Sequence, residues 1–202
     1  MTIFNKTNLS RSQHTIVLTE ASDDEAHPWV DLDYVVLEDD DPSLASSVST
    51  LFIDNTDAAL QFFPAPWDVV SDSSSFQGSF SRTQLASARV ELEFTGSTIS
   101  VYGRVAPENG LYLCNIDGGA NQSFTGYSPQ AASQQTLFFA NNLKGGSTRH
   151  VLQVYNEPQG GENGTSGIEI DFVRIWGNEM YVLGSLPRLT HYSLSNPYDL
   201  AQ

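Results

Sequence analysis

The chain is built from short strand-like runs separated by clusters of Gly, Pro, Asn and Ser. Several runs alternate apolar and polar residues; in residues 90–94, Val, Leu and Phe occupy every second position. Such alternation places the apolar side chains on one face of a half-buried antiparallel strand. No long segment has apolar residues at the 3.6-residue helical period, and residues 81–87 fit one helical turn at most. The sequence therefore predicts an all-β sandwich or barrel.

Ten runs are predicted to be strands. The single cysteine, Cys114, falls inside one of them, where a thiol behaves as a small apolar side chain. With one cysteine no intramolecular disulfide can form. The predicted strands span residues 15–19, 30–37, 50–54, 58–63, 88–95, 99–105, 110–117, 135–140, 150–155 and 168–176.

An internal repeat connects the two ends of the chain. Residues 14–21 and 31–36 align with residues 150–157 and 169–174, and His14 and His150 occupy matching positions. Two strand pairs in the same order indicate the ends of two homologous domains. The matched histidines are expected to share a structural role, such as donating to a loop carbonyl.

The repeat predicts the domain organisation. Residues 1–40 are expected to be the C-terminal hairpin of a truncated upstream copy, followed by an acidic linker over 41–48. The complete domain is predicted over 49–177 and a tail over 178–202. An isolated hairpin is marginal in water, so residues 1–40 are expected to pair with a neighbouring sheet or with another chain.

Charge excludes one class of partner. The chain carries 9 basic and 24 acidic side chains, a formal net charge of −15. This charge repels phosphate backbones and anionic lipid surfaces, so nucleic acid is not expected as a partner. No run approaches the ~20 apolar residues of a membrane span, and the N-terminus lacks the apolar core of a signal peptide. Together with the repeat, this favours a fragment of a longer protein.

Four glycosylation sequons, at Asn5, Asn8, Asn121 and Asn163, lie in polar segments. The chain is also rich in Ser, Thr and Asn and poor in lysine. Both features favour an extracellular or cell-surface location.

A sequence of motifs also indicates a family. The most specific stretch, residues 94–103 (Phe-Thr-Gly-Ser-Thr-Ile-Ser-Val-Tyr-Gly), is followed by Ile-Asp-Gly at 116–118. With Ile-Asp-Asn-Thr at 53–56, Phe-Gln-Gly at 76–78 and Asp-Phe at 171–172, the chain resembles galactose-binding-like jelly-roll modules of basidiomycete secreted and membrane-anchored ectodomains. The resemblance implies an antiparallel jelly-roll sandwich related to many carbohydrate-binding modules.

Five residues are candidates for ligand contact. Trp67, beside Pro66 and Asp68, offers a ring for stacking on a sugar or, alternatively, packs as core. Asp117, followed by glycine, is first a turn residue and second an acceptor for a sugar hydroxyl. The other three carry polar tips near predicted loops: Tyr112, Asn115 and Tyr127.

Catalytic and metal motifs are absent from the sequence. It contains no G-x-S-x-G elbow, no H-E-x-x-H helix and no phosphate-binding glycine loop. No cofactor and no metal site are expected, although a structural Ca²⁺ on Asp39, Asp40 and Asp41 stays open. The favoured interpretation is a non-catalytic carbohydrate-binding or adhesion module that contacts a glycan or wall polysaccharide. The alternatives are a structural or protein-interaction spacer and, third, a glycan hydrolase or lyase that uses scattered carboxylates.

Overall fold

The protein folds as an antiparallel β-sandwich. A computed structural model of the chain describes residues 15–17, 49–64, 67–157, 166–177, 180 and 182. The chain divides into two compact units, residues 1–41 and 42–202. In the first unit only residues 15–17 are described; they are exposed and have no regular secondary structure.

Eleven strands are described in the second unit, and short turns and loops connect them. A single 3-10 turn, Phe76–Gly78, lies between the third and fourth strands. The strands are β1 Ser49–Asp54, β2 Gln61–Phe63, β3 Asp68–Ser71, β4 Ser79–Thr83, β5 Arg89–Thr95, β6 Thr98–Val105, β7 Leu111–Ile116, β8 Gln122–Thr125, β9 Ala132–Ala140, β10 Arg149–Asn156 and β11 Ile168–Gly177.

These strands form two sheets that face each other across one core. The six-stranded sheet has the order β3-β4-β11-β6-β9, with β1 also paired to β11. The five-stranded sheet has the order β2-β5-β10-β7-β8. From β4 onward the chain crosses repeatedly between the sheets, as expected for a jelly roll. The predicted all-β jelly-roll sandwich is confirmed.

The core lies between the inner faces of the two sheets. Every second side chain of a strand points into this core. Val90, Leu92 and Phe94 of β5 are fully buried, and Val173 and Ile175 of β11 face them from the other sheet. Cys114 of β7 is also buried in this core, and burial raises the pKa of its thiol above the usual range. The predicted strand position of Cys114 is confirmed.

The structure corrects several predicted elements. Residues 81–87 hold no helical turn, because residues 79–83 form β4 and pair with both β3 and β11. Strands β3 and β8 lie at sheet edges and were not predicted from the sequence. Strand β2 is only three residues long, since turns occupy residues 57–60.

Most of the N-terminal prediction lies outside the described residues. This applies to the hairpin in residues 1–40, His14, the acidic run Asp39–Asp41 and the linker, and the domain boundaries stay predictions. Among the described helical residues none forms a segment long and apolar enough to cross a membrane.

Gly103 is a position where β11 approaches β6 very closely. A Cβ atom on residue 103 would lie 1.9 Å from the carbonyl oxygen of Glu169 and 2.5 Å from Cδ1 of Leu137. The first of these atoms belongs to the backbone of the central strand, which cannot move without disturbing its pairing. Only glycine therefore fits at this position.

We expect Gly103→Ala to lower the free energy of unfolding by about 2 kcal/mol or more, because the added methyl forces the β6–β11 ladder apart. Urea unfolding followed by tryptophan fluorescence measures the change. Gly145→Ala is the matched control, since its Cβ would meet only Ser97 at an ordinary 3.8 Å. Equal stability of the two variants would contradict this account of Gly103.

Candidate functional site

A pocket opens at the side of the sandwich, between the edge strands of the two sheets. Strand β2 is an edge of the five-stranded sheet and β3 is an edge of the six-stranded sheet. The short β2–β3 connection, which contains Trp67, joins them beside the turn that follows β1. The pocket has a volume of about 420 Å³, within the size range of small-molecule sites. It is lined by Asn55, Thr56, Asp57, Ala58, Leu60, Phe62, Trp67, Val69 and Ser81.

Trp67 forms part of the apolar wall of this pocket. Its ring lies 4.9 Å from the ring of Phe62, tilted by 55°, and it packs against the core while staying half-buried. The indole Nε1 is buried and has no hydrogen-bond partner in the described structure. The polar edge of the indole is thus turned away from solvent, and the part of the ring that faces the pocket is hydrocarbon. Val69 extends the wall and is 60% exposed.

The polar side of the pocket comes from the turn after β1. Asn55 is buried and hydrogen-bonds the hydroxyls of Ser79 and Ser81 at 3.0 and 3.1 Å. The backbone N–H of Thr56 donates to the carboxylate of Asp54 at 3.2 Å, which closes an Asx turn, and the hydroxyl of Thr56 donates to the same oxygen at 2.5 Å. Asp57 accepts a hydrogen bond from the backbone N–H of Ala59 at 2.8 Å and is otherwise exposed. These bonds fix the turn, so the pocket is formed before any ligand arrives.

The five residues predicted from the sequence do not meet at one site. Tyr127 follows β8 beside the start of β7, whereas Asp117 follows the end of β7. A six-residue strand spans about 20 Å, so these two residues lie at opposite ends of the sandwich. Trp67 lies at the side, between the edge strands.

Tyr112 and Asn115 serve the structure of the sandwich. Tyr112 is only 2% exposed, and its hydroxyl donates to the carbonyl of Leu137 at 2.6 Å, which connects the two sheets. Asn115 is buried and donates to Asn121 at 2.8 Å. The sequence placed both near loops. Strand alternation turns Tyr112 inward, away from any ligand at the surface, whereas Asn115, three residues later, lies on the opposite face of β7 and is buried there. Asn121 itself is exposed, and its glycosylation stays a prediction; Asn5, Asn8 and Asn163 lie outside the described residues.

Asp117 acts as a turn residue that holds a neighbouring loop. It has a φ of 57° and accepts hydrogen bonds from the backbone N–H of Val151 at 2.8 Å and from Nδ1 of His150 at 2.7 Å. The other ring nitrogen of His150 lies 3.0 Å from the carbonyl oxygen of Lys144. His150 therefore has the structural role that its matched position predicted. Tyr127 is 39% exposed, and its ligand role stays a prediction.

A second group of aromatic residues lies on the outer face of the six-stranded sheet. Tyr102 and Phe172 stack at 4.4 Å with an interplanar angle of 8°, and Arg174 lies 4.2 Å from the ring of Trp176. Phe52 is 5.3 Å from the same guanidinium. The stack and the two contacts with Arg174 already engage these rings within the protein. The side pocket is the stronger candidate for this reason.

A strap, residues 72–78, crosses that outer face and covers a buried carboxylate. The backbone N–H of Phe76 donates to both oxygens of Asp171, at 3.0 and 3.1 Å. At its far side, the carbonyl of Ser74 accepts from Gln134 of β9 at 3.0 Å. Burial raises the pKa of Asp171 to about 6, and the charges of Asp54 and Asp72 act in the same direction. No group of three or more His, Cys, Asp or Glu side chains in the described structure is arranged to hold a metal ion.

The comparisons with known proteins give one sequence relative and several distant structures. No protein-family model matches the chain. An A type blood N-acetyl-alpha-D-galactosamine deacetylase from Flavonifractor plautii is 33% identical over 102 residues, which is 50% of this chain and 13% of that protein. The chain thus corresponds to a small part of that relative.

Among solved structures, a CBM35 module from Cellvibrio japonicus aligns over 69% of this chain and 100% of its own, with a TM-score of 0.46 and 15% identity. A family two carbohydrate esterase from Cellvibrio japonicus aligns over 70% of this chain and 37% of its own, with a TM-score of 0.46 and 16% identity. At these scores the alignments do not bear on ligand or activity.

We expect Asp171→Asn to stabilise the protein by about 1–3 kcal/mol at pH 8. The raised pKa means that the folded state binds more protons than the unfolded state between about pH 4 and 6, so stability falls as pH rises through this range. Asparagine removes the buried charge and still accepts from Phe76. The gain should disappear below about pH 4, where Asp171 is protonated in both states.

Urea unfolding of both proteins at pH 3.5 and pH 8 tests this expectation. The difference between wild type and variant cancels the other titrating groups. A variant that is less stable than wild type at pH 8 would show that the carboxylate is a net stabilising group.

Proposed function

We propose that residues 49–177 are a non-catalytic carbohydrate-binding module whose ligand occupies the side pocket. The observation that carries the proposal is the pairing of an indole carbon face, Trp67, with a preformed polar turn at Asn55–Asp57 in one open pocket. Sugars present an apolar C–H face and a rim of hydroxyls, and a stacking ring beside fixed polar groups is complementary to both. The jelly-roll sandwich holds the two parts in place from different strands.

Three further features support a glycan rather than other partners. The net charge of −15 disfavours nucleic acid and anionic surfaces. The relative with 33% identity is by name an enzyme that acts on an amino sugar, and the matching segment is a small part of it. A match to 13% of the relative is the size expected for one module that accompanies other domains in a carbohydrate-active protein. We place the protein outside the cell or on its surface, where the sequons would be glycosylated.

The experiment is a titration of the purified chain with a panel of plant and fungal polysaccharides, oligosaccharides and simple sugars. We expect saturable binding to at least one of them, and a loss of affinity of about tenfold or more in Trp67→Ala, because the ring supplies most of the apolar contact. Phe139→Ala is the control, since Phe139 is 40% exposed and lies on the outer face, outside the pocket. Melting temperatures confirm that both variants fold.

Three other results would redirect the proposal. Loss of binding in Tyr127→Ala, with Trp67→Ala unaffected, would move the ligand to the end of the sandwich where β7 begins. An absence of binding across the panel would favour the structural or protein-interaction spacer. Release of acetate or cleavage of a glycan by the purified chain would favour an enzyme.

A further inference from the structure

The two sides of the pocket differ sharply in chemistry. One side is hydrocarbon, and the other consists of the turn after β1. Each hydroxyl that is buried against hydrocarbon without a hydrogen bond costs free energy. A hexose that carries only hydroxyl substituents can place its C–H face on Trp67, but its rim of hydroxyls leaves the rest of the hydrocarbon side unused. The hydrocarbon side is formed by Ala58, Leu60, Phe62, Trp67 and Val69.

Most of the polar side is already engaged within the protein. The amide of Asn55 binds the hydroxyls of Ser79 and Ser81, and Thr56 donates to Asp54. Asp57 is different, because one of its oxygens accepts from the N–H of Ala59 while the other has no partner in the described part of the chain. A carboxylate oxygen accepts hydrogen bonds only, so the ligand group beside it must be a donor.

One common sugar substituent combines an N–H donor with an apolar end. The acetamido group of an N-acetylhexosamine is planar, and in its trans form the amide N–H and the methyl lie next to each other on the edge opposite the carbonyl oxygen. With the N–H directed at Asp57, the methyl can contact the hydrocarbon side, where Val69 and Phe62 lie. The group is neutral, so the net charge of −15 does not oppose it.

We propose that the pocket selects N-acetylated amino sugars over the corresponding unmodified hexoses, with Asp57 receiving the amide N–H and Val69 contacting the methyl. This inference rests on the proposed function, because it concerns the ligand class of the same pocket. Trp67 stacks on the sugar ring, whereas Asp57 and Val69 contact the acetamido substituent and give the selectivity.

The experiment measures the affinity of the wild-type chain for N-acetylgalactosamine and N-acetylglucosamine, for galactose and glucose, and for galactosamine. NMR titration suits it, since monosaccharide affinities are often weak. We expect the acetylated sugars to bind about fourfold more tightly than their parent hexoses, because the methyl adds apolar contact, whereas a hexose hydroxyl can also donate to Asp57.

Two variants test the assigned residues. Asp57→Asn keeps an acceptor for Ala59 but turns an amide toward the ligand, and it should lower affinity for the acetylated sugars about fivefold or more. Val69→Thr is nearly equal in shape and should reduce the same affinity by replacing a methyl with a hydroxyl. Both should lower affinity for the parent hexoses less, because a hydroxyl can also accept from the new amide of residue 57 and a hexose has no acetyl methyl to lose, so the ratio of the two affinities should fall. Asp68→Asn is the matched control, because Asp68 is an exposed carboxylate beside the pocket that does not line it.

The outcomes separate this inference from the proposed function. Equal binding of acetylated and unmodified sugars, still lost in Trp67→Ala, would overturn the inference and leave the proposed function standing. Stronger binding of galactosamine, weakened by salt, would overturn it in favour of ammonium recognition by Asp57. Binding of none of these sugars, nor of any member of the polysaccharide panel, would overturn both.

Discussion

The pairing of β11 with three other strands is the constraint on which the six-stranded sheet depends. One edge of β11 pairs with β6, while the other pairs first with β4 and then with β1. Ten residues are long enough to bridge both, and a register shift between Ile170 and Phe172 lets the strand bend between them. The turn after β1 and the start of β4 meet at this junction. Asn55 crosses it to bind Ser79 and Ser81, which gives the pocket its fixed polar side.

The sequence predicted the centre of the sandwich well and its margins poorly. Alternation of apolar and polar residues in β5 and β6 is typical of a strand with one buried face. Both strands lie at the positions predicted from this pattern. Strand β4 was not predicted because its buried residues Ser81 and Thr83 are polar and give no apolar alternation. Hydrogen bonds and strand pairing make their burial possible. Strands β3 and β8 are edge strands of four residues each, too short to show a period.

The candidate site was predictable only in part, for a physical reason. Trp67 was identifiable, because a tryptophan between turn residues has few roles besides packing and stacking. Asn55 and Asp57 follow a strand and resemble any turn, so nothing local shows that they face Trp67. Tyr112 shows the reverse error, since its polar tip suggested a surface position while its partner, Leu137, is distant in sequence. In both cases, the pocket and Tyr112, the position of the side chain depends on contacts with residues distant in sequence, which a local pattern does not show.

Because Cys114 is buried, its reactivity can measure how often the five-stranded sheet opens. Its thiol lies within the core on β7, flanked by β8 and β10, and no second cysteine competes for a reagent. An alkylating reagent reaches the sulfur only when these strands separate, so the rate of labelling reflects the population of open molecules. The same burial keeps the thiol from forming disulfides between folded copies. Oxidising surroundings therefore leave this thiol unreacted in the folded chain, whereas chains that have lost the five-stranded sheet expose it to disulfide formation.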